Sequence, residues 1–321
     1  MKKLLKILGI IVLVIVVLAG GAAAYISITG IPDYEVKVPN IPKVEVTPER
    51  VARGEKIASM LCRNCHYDKN TGKLSGRELT EAPAFGKIYS RNITQDPDAG
   101  IGKWTDAELI YFIRTGINPH TGAYVPPYMA KLIHISDEEM RCIIAYLRSN
   151  SEEVQAVSTE PPPTEPSFLT KALSKFAFKP FDYPSHEIPE PDTSNAMEYG
   201  KYIALYQLEC FSCHSADFKT NDFLNPEKSA GFFGGGNTLM APDGKTVILS
   251  LNITPDKETG IGSWTEEQFA NAVRSGIVPN GHALRNPMMP FVRLTDAEVH
   301  ALYTYLKSVP PIQHKVERSS L

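Results

Sequence analysis

Two five-residue strings carry the chemistry: Cys62-Arg63-Asn64-Cys65-His66 and Cys210-Phe211-Ser212-Cys213-His214. In each, two thiols stand three positions apart and an imidazole follows at once. On a tight helical turn, thiols so spaced can each bond one vinyl group of a porphyrin. The adjacent imidazole then projects over the macrocycle as an iron ligand. Cys-x-x-Cys-His is the pattern of covalent c-type haem attachment. Other uses of paired cysteines fit less well. A zinc ribbon holds its pairs about 15–20 residues apart, whereas Cys62 and Cys210 are 148 apart. A thioredoxin-like pair sits in a βαβ context, and no alternating strand pattern flanks either string. The expectation is two covalently bound haem c groups, with His66 and His214 on iron.

The strings are landmarks of an internal repeat. Asn92-Ile93-Thr94 and Gly100-Ile101-Gly102-Lys103-Trp104-Thr105 return as Asn252-Ile253-Thr254 and Gly260-Ile261-Gly262-Ser263-Trp264-Thr265, 160 residues on. Arg114-Thr115-Gly116-Ile117 returns as Arg274-Ser275-Gly276-Ile277 at the same offset. Ser136-Asp137 and Tyr146-Leu147 return as Thr295-Asp296 and Tyr305-Leu306 at an offset of 159.

A thioether on a loop before the last helix is the expected second axial ligand. Met129 and Met288 share that 159 offset, and prolines stiffen both loops: Pro126-Pro127 in one, Pro287 and Pro290 in the other. Met289 competes with Met288, and His120, His134 and His282 are alternative ligands. Met60 reads as packing, and His186, His300 and His314 as surface residues. A soft thioether raises the reduction potential relative to two histidines. It also closes the sixth position, which argues for electron transfer over catalysis, so no catalytic residue is assigned.

The elements that must position these groups are helical. Residues 50–61 and 196–209 lead straight into the cysteines. Thr105-x-x-Glu108 and Thr265-x-x-Gln268 read as capping boxes, and Gly116 and Gly276 stand where a left-handed helix end favours glycine. Ser136-x-x-Glu139 and Thr295-x-x-Glu298 start the last helix of each copy. Three short helices with long loops make a poor core for such a unit, so a haem is expected to fill each centre. Cys142, in an apolar run whose counterpart is Ala301, reads as a small buried hydrophobe.

Lys2, Lys3 and Lys6 precede an uncharged run from Ile7 to Ile28. At about 1.5 Å per residue it can cross a hydrocarbon core of about 30 Å. The lysines stay in the cytoplasm, so the rest lies on the periplasmic side of a bacterial inner membrane. The rival reading is a signal peptide cleaved near Ala22-Ala23-Ala24. Net charge is -3, which offers no basic field for nucleic acid. Expected divisions are 1–28 transmembrane anchor or signal, 29–46 spacer lifting the first module off the membrane, 47–155 first haem domain, 156–191 Pro-rich linker and 192–312 second haem domain. Pro161-Pro162-Pro163 and later prolines make that linker stiff and extended. Its Phe176, Phe178, Phe181 and Tyr183 point to contact with a domain surface.

These residues resemble the class I c-type cytochromes. The resemblance covers roughly 47–150 and 192–310 and implies an all-α fold: two tandem helical domains around covalent haems, plus one N-terminal transmembrane helix. It matches Gly54 and Gly200 to the small residue where the first and last helices cross, and Tyr146 and Tyr305 to its aromatic partner. The Asn-Ile-Thr and Gly-Ile-Gly-x-Trp-Thr strings look like those of haem subunits partnering periplasmic alcohol, gluconate and sugar dehydrogenases. That likeness implies Trp104, Trp264, Asn92 and Asn252 beside the haem propionates; loop packing is the other reading. The expected function is electron transfer from a periplasmic donor, such as a dehydrogenase subunit, to a respiratory-chain acceptor such as a terminal oxidase. The alternatives are a di-haem peroxidase with one open iron, and a structural haem-containing adaptor.

Overall fold

A computed structural model describes residues 2–317. Helix α1 (Lys2–Thr29) has a central stretch of mean hydropathy 2.9 with none of it buried. Apart from Ile26 near its end, its apolar side chains face outward, which fits a membrane anchor.

The first repeat contains α2 (Pro48–Leu61), α3 (Arg63–His66), α4 (Asp106–Thr115) and α5 (Asp137–Leu147). The second contains α7 (Ala196–Tyr202), α8 (Cys210–His214), α9 (Glu266–Ser275) and α10 (Asp296–Ser308). Helix α2 crosses α5, and α7 crosses α10. A Cβ at Gly54 would overlap the Cys142 carbonyl and lie 2.9 Å from Tyr146 Cβ. At Gly200 it would overlap the Ala301 carbonyl and lie 2.9 Å from Tyr305 Cβ. Only glycine lets these backbones meet. Thr105/Glu108 and Thr265/Gln268 form both capping boxes, and Gly116 and Gly276 end their helices at φ 75° and 73°. One buried cluster centres on Ile57, Leu109, Ile143 and Ile144, the other on Ile203, Phe211, Phe269 and Leu302. Cys142 is buried, and Met60 packs into the second cluster.

The structure departs from expectation in four places. Helix α2 runs unbroken to the haem string, but α7 passes into a π-helical turn, Ile203–Gln207. Two more residues separate Gly200 from Cys210 than Gly54 from Cys62. A π turn and a left-handed Glu209 (φ 47°) absorb them. Second, two short antiparallel ribbons accompany the helices: β1 (Gly86–Lys87) with β2 (Glu165–Pro166), and β3 (Thr238–Met240) with β4 (Val247–Leu249). Third, the Pro-rich segment is not wholly extended. It contains β2 and helix α6 (Phe168–Phe176). Fourth, residues 29–46 do not lift the first repeat away from α1. Tyr34 N donates to the Gly122 carbonyl (2.8 Å), Val44 N to Asp106 Oδ2 (2.9 Å), and Val44 is buried.

The repeats contact each other reciprocally. Glu139 and its counterpart Glu298 sit in the first turn of α5 and α10. Glu139 accepts from Arg53 of its own repeat (3.0 Å) and from Tyr202 of the other (2.6 Å). Glu298 accepts from Tyr199 of its own repeat (3.2 Å) and from Lys56 of the other (2.5 Å). Arg53 and Tyr199 each precede a crossing glycine; Lys56 and Tyr202 each stand two residues after it. The halves thus exchange equivalent contacts, as two copies do across a two-fold axis.

Candidate haem-attachment sites

Cys62 ends α2 and opens α3, whose turn closes with His66 N donating to the Cys62 carbonyl (2.9 Å). Helix α8 places Cys210, Cys213 and His214 on one short helix in the same way. None of the four cysteines is in a disulfide. Burial pushes Cys62 and Cys210 up to about 12, with the neighbouring Cys65 and Cys213 adding to it, and raises Cys65 and Cys213 as well.

Both imidazoles are held by one device. His66 Nδ1 lies 2.7 Å from the Arg91 carbonyl, and His214 Nδ1 lies 2.7 Å from the Leu251 carbonyl. A carbonyl can only accept, so the proton sits on Nδ1 and Nε2 keeps its lone pair for a metal. Burial lowers the pKa of both imidazoles, favouring the neutral form that binds iron.

The repeated loop strings exist to hold those carbonyls. Asn92 follows Arg91 directly; its Nδ2 donates to the Val157 and Thr159 carbonyls (2.8 and 2.9 Å) and its Oδ1 accepts from Thr94 N (2.8 Å). Asn252 follows Leu251; it donates to Ile312 O (2.7 Å) and accepts from Thr254 N (2.9 Å). Both amides are therefore spent on loop backbone. Trp104 meets Phe112 and His120 edge-on, at 5.5 and 5.0 Å between ring centroids. Trp264 packs partly buried against the second cluster.

The methionine loops match bond for bond. Val125 N donates to Gly116 O (2.9 Å), Met129 N to Pro126 O (3.2 Å) and Leu132 N to Ile113 O (3.1 Å). Their counterparts are Leu284 N to Gly276 O (2.6 Å), Met288 N to Arg285 O (2.9 Å) and Phe291 N to Val273 O (2.8 Å). Met129 and Met288 are half-buried, whereas Met289 is exposed with its Sδ 3.2 Å from Asn286 Nδ2. His134 Nε2 donates to the Phe223 carbonyl (3.0 Å), while His120 and His282 are exposed. His186, His300 and His314 lie at the surface.

Sequence reasoning missed three charged groups. Arg114, fully buried, donates to the Leu132, Ile133 and Ile135 carbonyls (3.0, 3.2 and 3.0 Å) and to Asp137 (2.6 Å). It binds the chain just after the first methionine loop. Its presence in a repeated string was a signal; its burial was not readable. Lys131, also buried, caps that loop from inside, donating to Pro126 O (2.9 Å) and Met129 O (2.7 Å). Desolvation lowers Lys131 to about 7 and raises Glu209 to about 8, and each opposes the other's shift. Lys131 belongs to the first repeat's methionine loop, and Glu209 directly precedes Cys210. His134 also stacks near Tyr206, 4.8 Å between centroids. The segment after the first methionine loop thus touches the helix that leads into the second cysteine string.

Two cysteines and an oriented neutral imidazole on one helical turn, found twice and each in a repeat that also carries a tethered methionine loop, define a c-type cytochrome. The residues present fit a covalently held haem. The chain belongs to the cytochrome c family, whose family model matches residues 51–151 and 198–310. It is 29% identical over 275 residues to a diheme cytochrome c-type protein of Cereibacter sphaeroides, covering 82% of this chain and 86% of the relative. It is 37% identical over 272 residues to the gluconate 2-dehydrogenase cytochrome c subunit of Pantoea cypripedii, covering 81% and 59%. It is 28% identical over 272 residues to the cytochrome c subunit of alcohol dehydrogenase (quinone) from Gluconacetobacter polyoxogenes, covering 82% and 56%. The chain spans somewhat over half the length of those dehydrogenase subunits. Covalent haem and electron transfer are the family's business and this chain's.

Proposed function

We propose that the chain is a membrane-anchored two-haem carrier that takes electrons from a periplasmic dehydrogenase and passes them to a respiratory-chain acceptor. The first haem is held within 47–155 by Cys62 and Cys65, with His66 and Met129 on iron. The second is held within 192–312 by Cys210 and Cys213, with His214 and Met288 on iron. Haem iron supplies one-electron redox chemistry. The protein's part is to orient each imidazole through Nδ1, to hold the sulfur-bearing loop and to keep water from the porphyrin face. The matched Nδ1 bonds of His66 and His214 carry this reading, since two independent loops deliver a carbonyl to the same ring atom.

The exposed, amide-bound Met289 favours Met288 as the second ligand. The ring contact of His134, just after the Met129 loop, with Tyr206 of the second repeat supports direct electron exchange between the haems. Relatedness to dehydrogenase cytochrome subunits supports the donor class.

Mass spectrometry of the native chain should show the added mass of two haems. In the reduced protein neither haem should bind carbon monoxide. Met129→Ala and Met288→Ala should each open one iron to it, and Met289→Ala should open none. Carbon monoxide binding by the unmodified protein would favour the peroxidase-like alternative instead.

A further inference from the structure

Helix α6 is amphipathic in the wrong sense for a surface helix. Its polar side faces the protein: Thr170 and Ser174, one turn apart, are both buried. Ser167 Oγ and Thr170 Oγ1 donate to the Ala84 and Phe85 carbonyls (2.9 and 2.8 Å), and β2 pairs with β1 just before the helix. These bonds fix α6 on the first repeat. Its apolar side faces outward, with Phe168, Leu169 and Phe176 exposed to 51%, 54% and 76%. A helix with this inversion hides its hydrogen-bonding face and presents its greasy one.

What α6 touches on its other flank says what covers that face. Lys171 Nζ donates to the Ser27 carbonyl (3.4 Å), and Lys175 Nζ lies 5.1 Å from the Tyr25 ring centroid. Tyr25 and Ser27 are in the last turns of α1. The uncharged run from Ile7 to Ile28, at about 1.5 Å per residue, matches a core of about 30 Å. Tyr25 and Ser27 therefore leave the hydrocarbon where tyrosine is favoured, at the headgroup boundary. A helix bonded to them lies at that depth. Between Phe168 and Lys179 the segment carries Lys171, Lys175 and Lys179 and no acidic residue, which suits anionic headgroups.

We propose that α6 is an interfacial helix: it sets Phe168, Leu169 and Phe176 into the bilayer surface around the anchor, with its lysines at the headgroups. It lays the first repeat against the membrane on its Phe85 side. Phe85 packs edge-on against Tyr128, next to Met129 (5.7 Å between centroids), so the first methionine loop is brought toward the membrane. The proposal rests on α1 being a retained anchor.

The full chain in vesicles of phosphatidylcholine and phosphatidylglycerol, brominated on the acyl chain near the headgroup, tests both. The emission that Phe176→Trp adds to that of the native Trp104 and Trp264 should fall about twofold relative to unbrominated vesicles, as expected of an interfacial residue. Leu169→Trp gives the same reading if the first variant folds poorly. Val292→Trp, at an exposed site of the second repeat, should show no such loss. Leu13→Trp, inside α1, reports on the anchor alone. If Leu13→Trp is quenched while Phe176→Trp and Leu169→Trp match Val292→Trp, α6 does not meet lipid and the proposal fails; a protein partner would then be the cover for its apolar face. If Leu13→Trp is unquenched too, the anchor reading falls with it.

Discussion

The two repeats solve one problem with unequal means. Both pin their methionine loops to the preceding helix through the same three backbone bonds. Only the first adds buried cations. Arg114 binds three carbonyls and Asp137 there, and Lys131 binds two more. In the second, Arg274 pairs with an exposed Asp296 (2.7 Å), and its Nε and Nη2 find no partner among the described residues, where Arg114 leaves only its Nε unpaired. Pro290 replaces Lys131, and Val292 beside it is 71% exposed. A buried cation satisfied by carbonyls makes a rigid loop, because leaving it unpaired is expensive. A proline stiffens locally but ties the loop to nothing. The first methionine loop is thus held fast, and the second has fewer restraints.

The sharpest way to break that contrast is Arg114→Leu against Arg274→Leu. Removing Arg114 strands three carbonyls and Asp137, and should cost about 3–5 kcal/mol of unfolding free energy by urea titration. Removing Arg274 should cost less than about 1 kcal/mol. Equal losses would erase the distinction.

The reciprocal contacts between the repeats give a second comparison. Tyr202 donates to Glu139 and accepts from Ser136 N (2.7 Å) at a site where Glu139 is 2% exposed. Tyr202→Phe should cost about 1–2 kcal/mol, because it leaves a buried amide unpaired. Lys56→Met acts at the equivalent but wetter position and should cost less than about 1 kcal/mol. The smaller effect should appear as a change in slope if the repeats begin to unfold separately.

The finest discrimination concerns the loop alone. Lys131→Met keeps an unbranched stem but loses the ammonium that lies 5.2 Å from the Tyr124 ring centroid, and with it both donors. Stability should fall by about 1 kcal/mol, and carbon monoxide should begin to compete for the first reduced haem. Pro290→Ala, at the matching position, should leave global stability within about 0.5 kcal/mol. Carbon monoxide binding confined to the second haem in both variants would reverse the order of restraint.

Much of this architecture was legible in the chain itself. Five motifs recurring at offsets of 159 or 160 residues announced two copies of one unit. The crossings at Gly54 and Gly200 followed from the resemblance to class I cytochromes, since their partners are far along the chain. The capping boxes at Thr105 and Thr265 and the left-handed glycines at Gly116 and Gly276 depend on residues close in sequence. Such features are local, so residue type alone carries them. The roles of Asn92 and Asn252 were left open because an amide's partners come from segments about 65 residues away.

Other features had no local signature. The sequence determined which atoms are available: two thiol pairs, two imidazoles and methionines in register. Only the tertiary structure decided that Arg91 and Leu251 set the imidazole protons, and that Glu139 reaches across to Tyr202. It also decided that Lys131 turns inward, and that α6 turns its apolar side outward beside the end of α1. Each depends on burial and on partners far along the chain. The free energy of a charge or an apolar face is fixed by what surrounds it, and residue order does not specify those surroundings until the chain has folded.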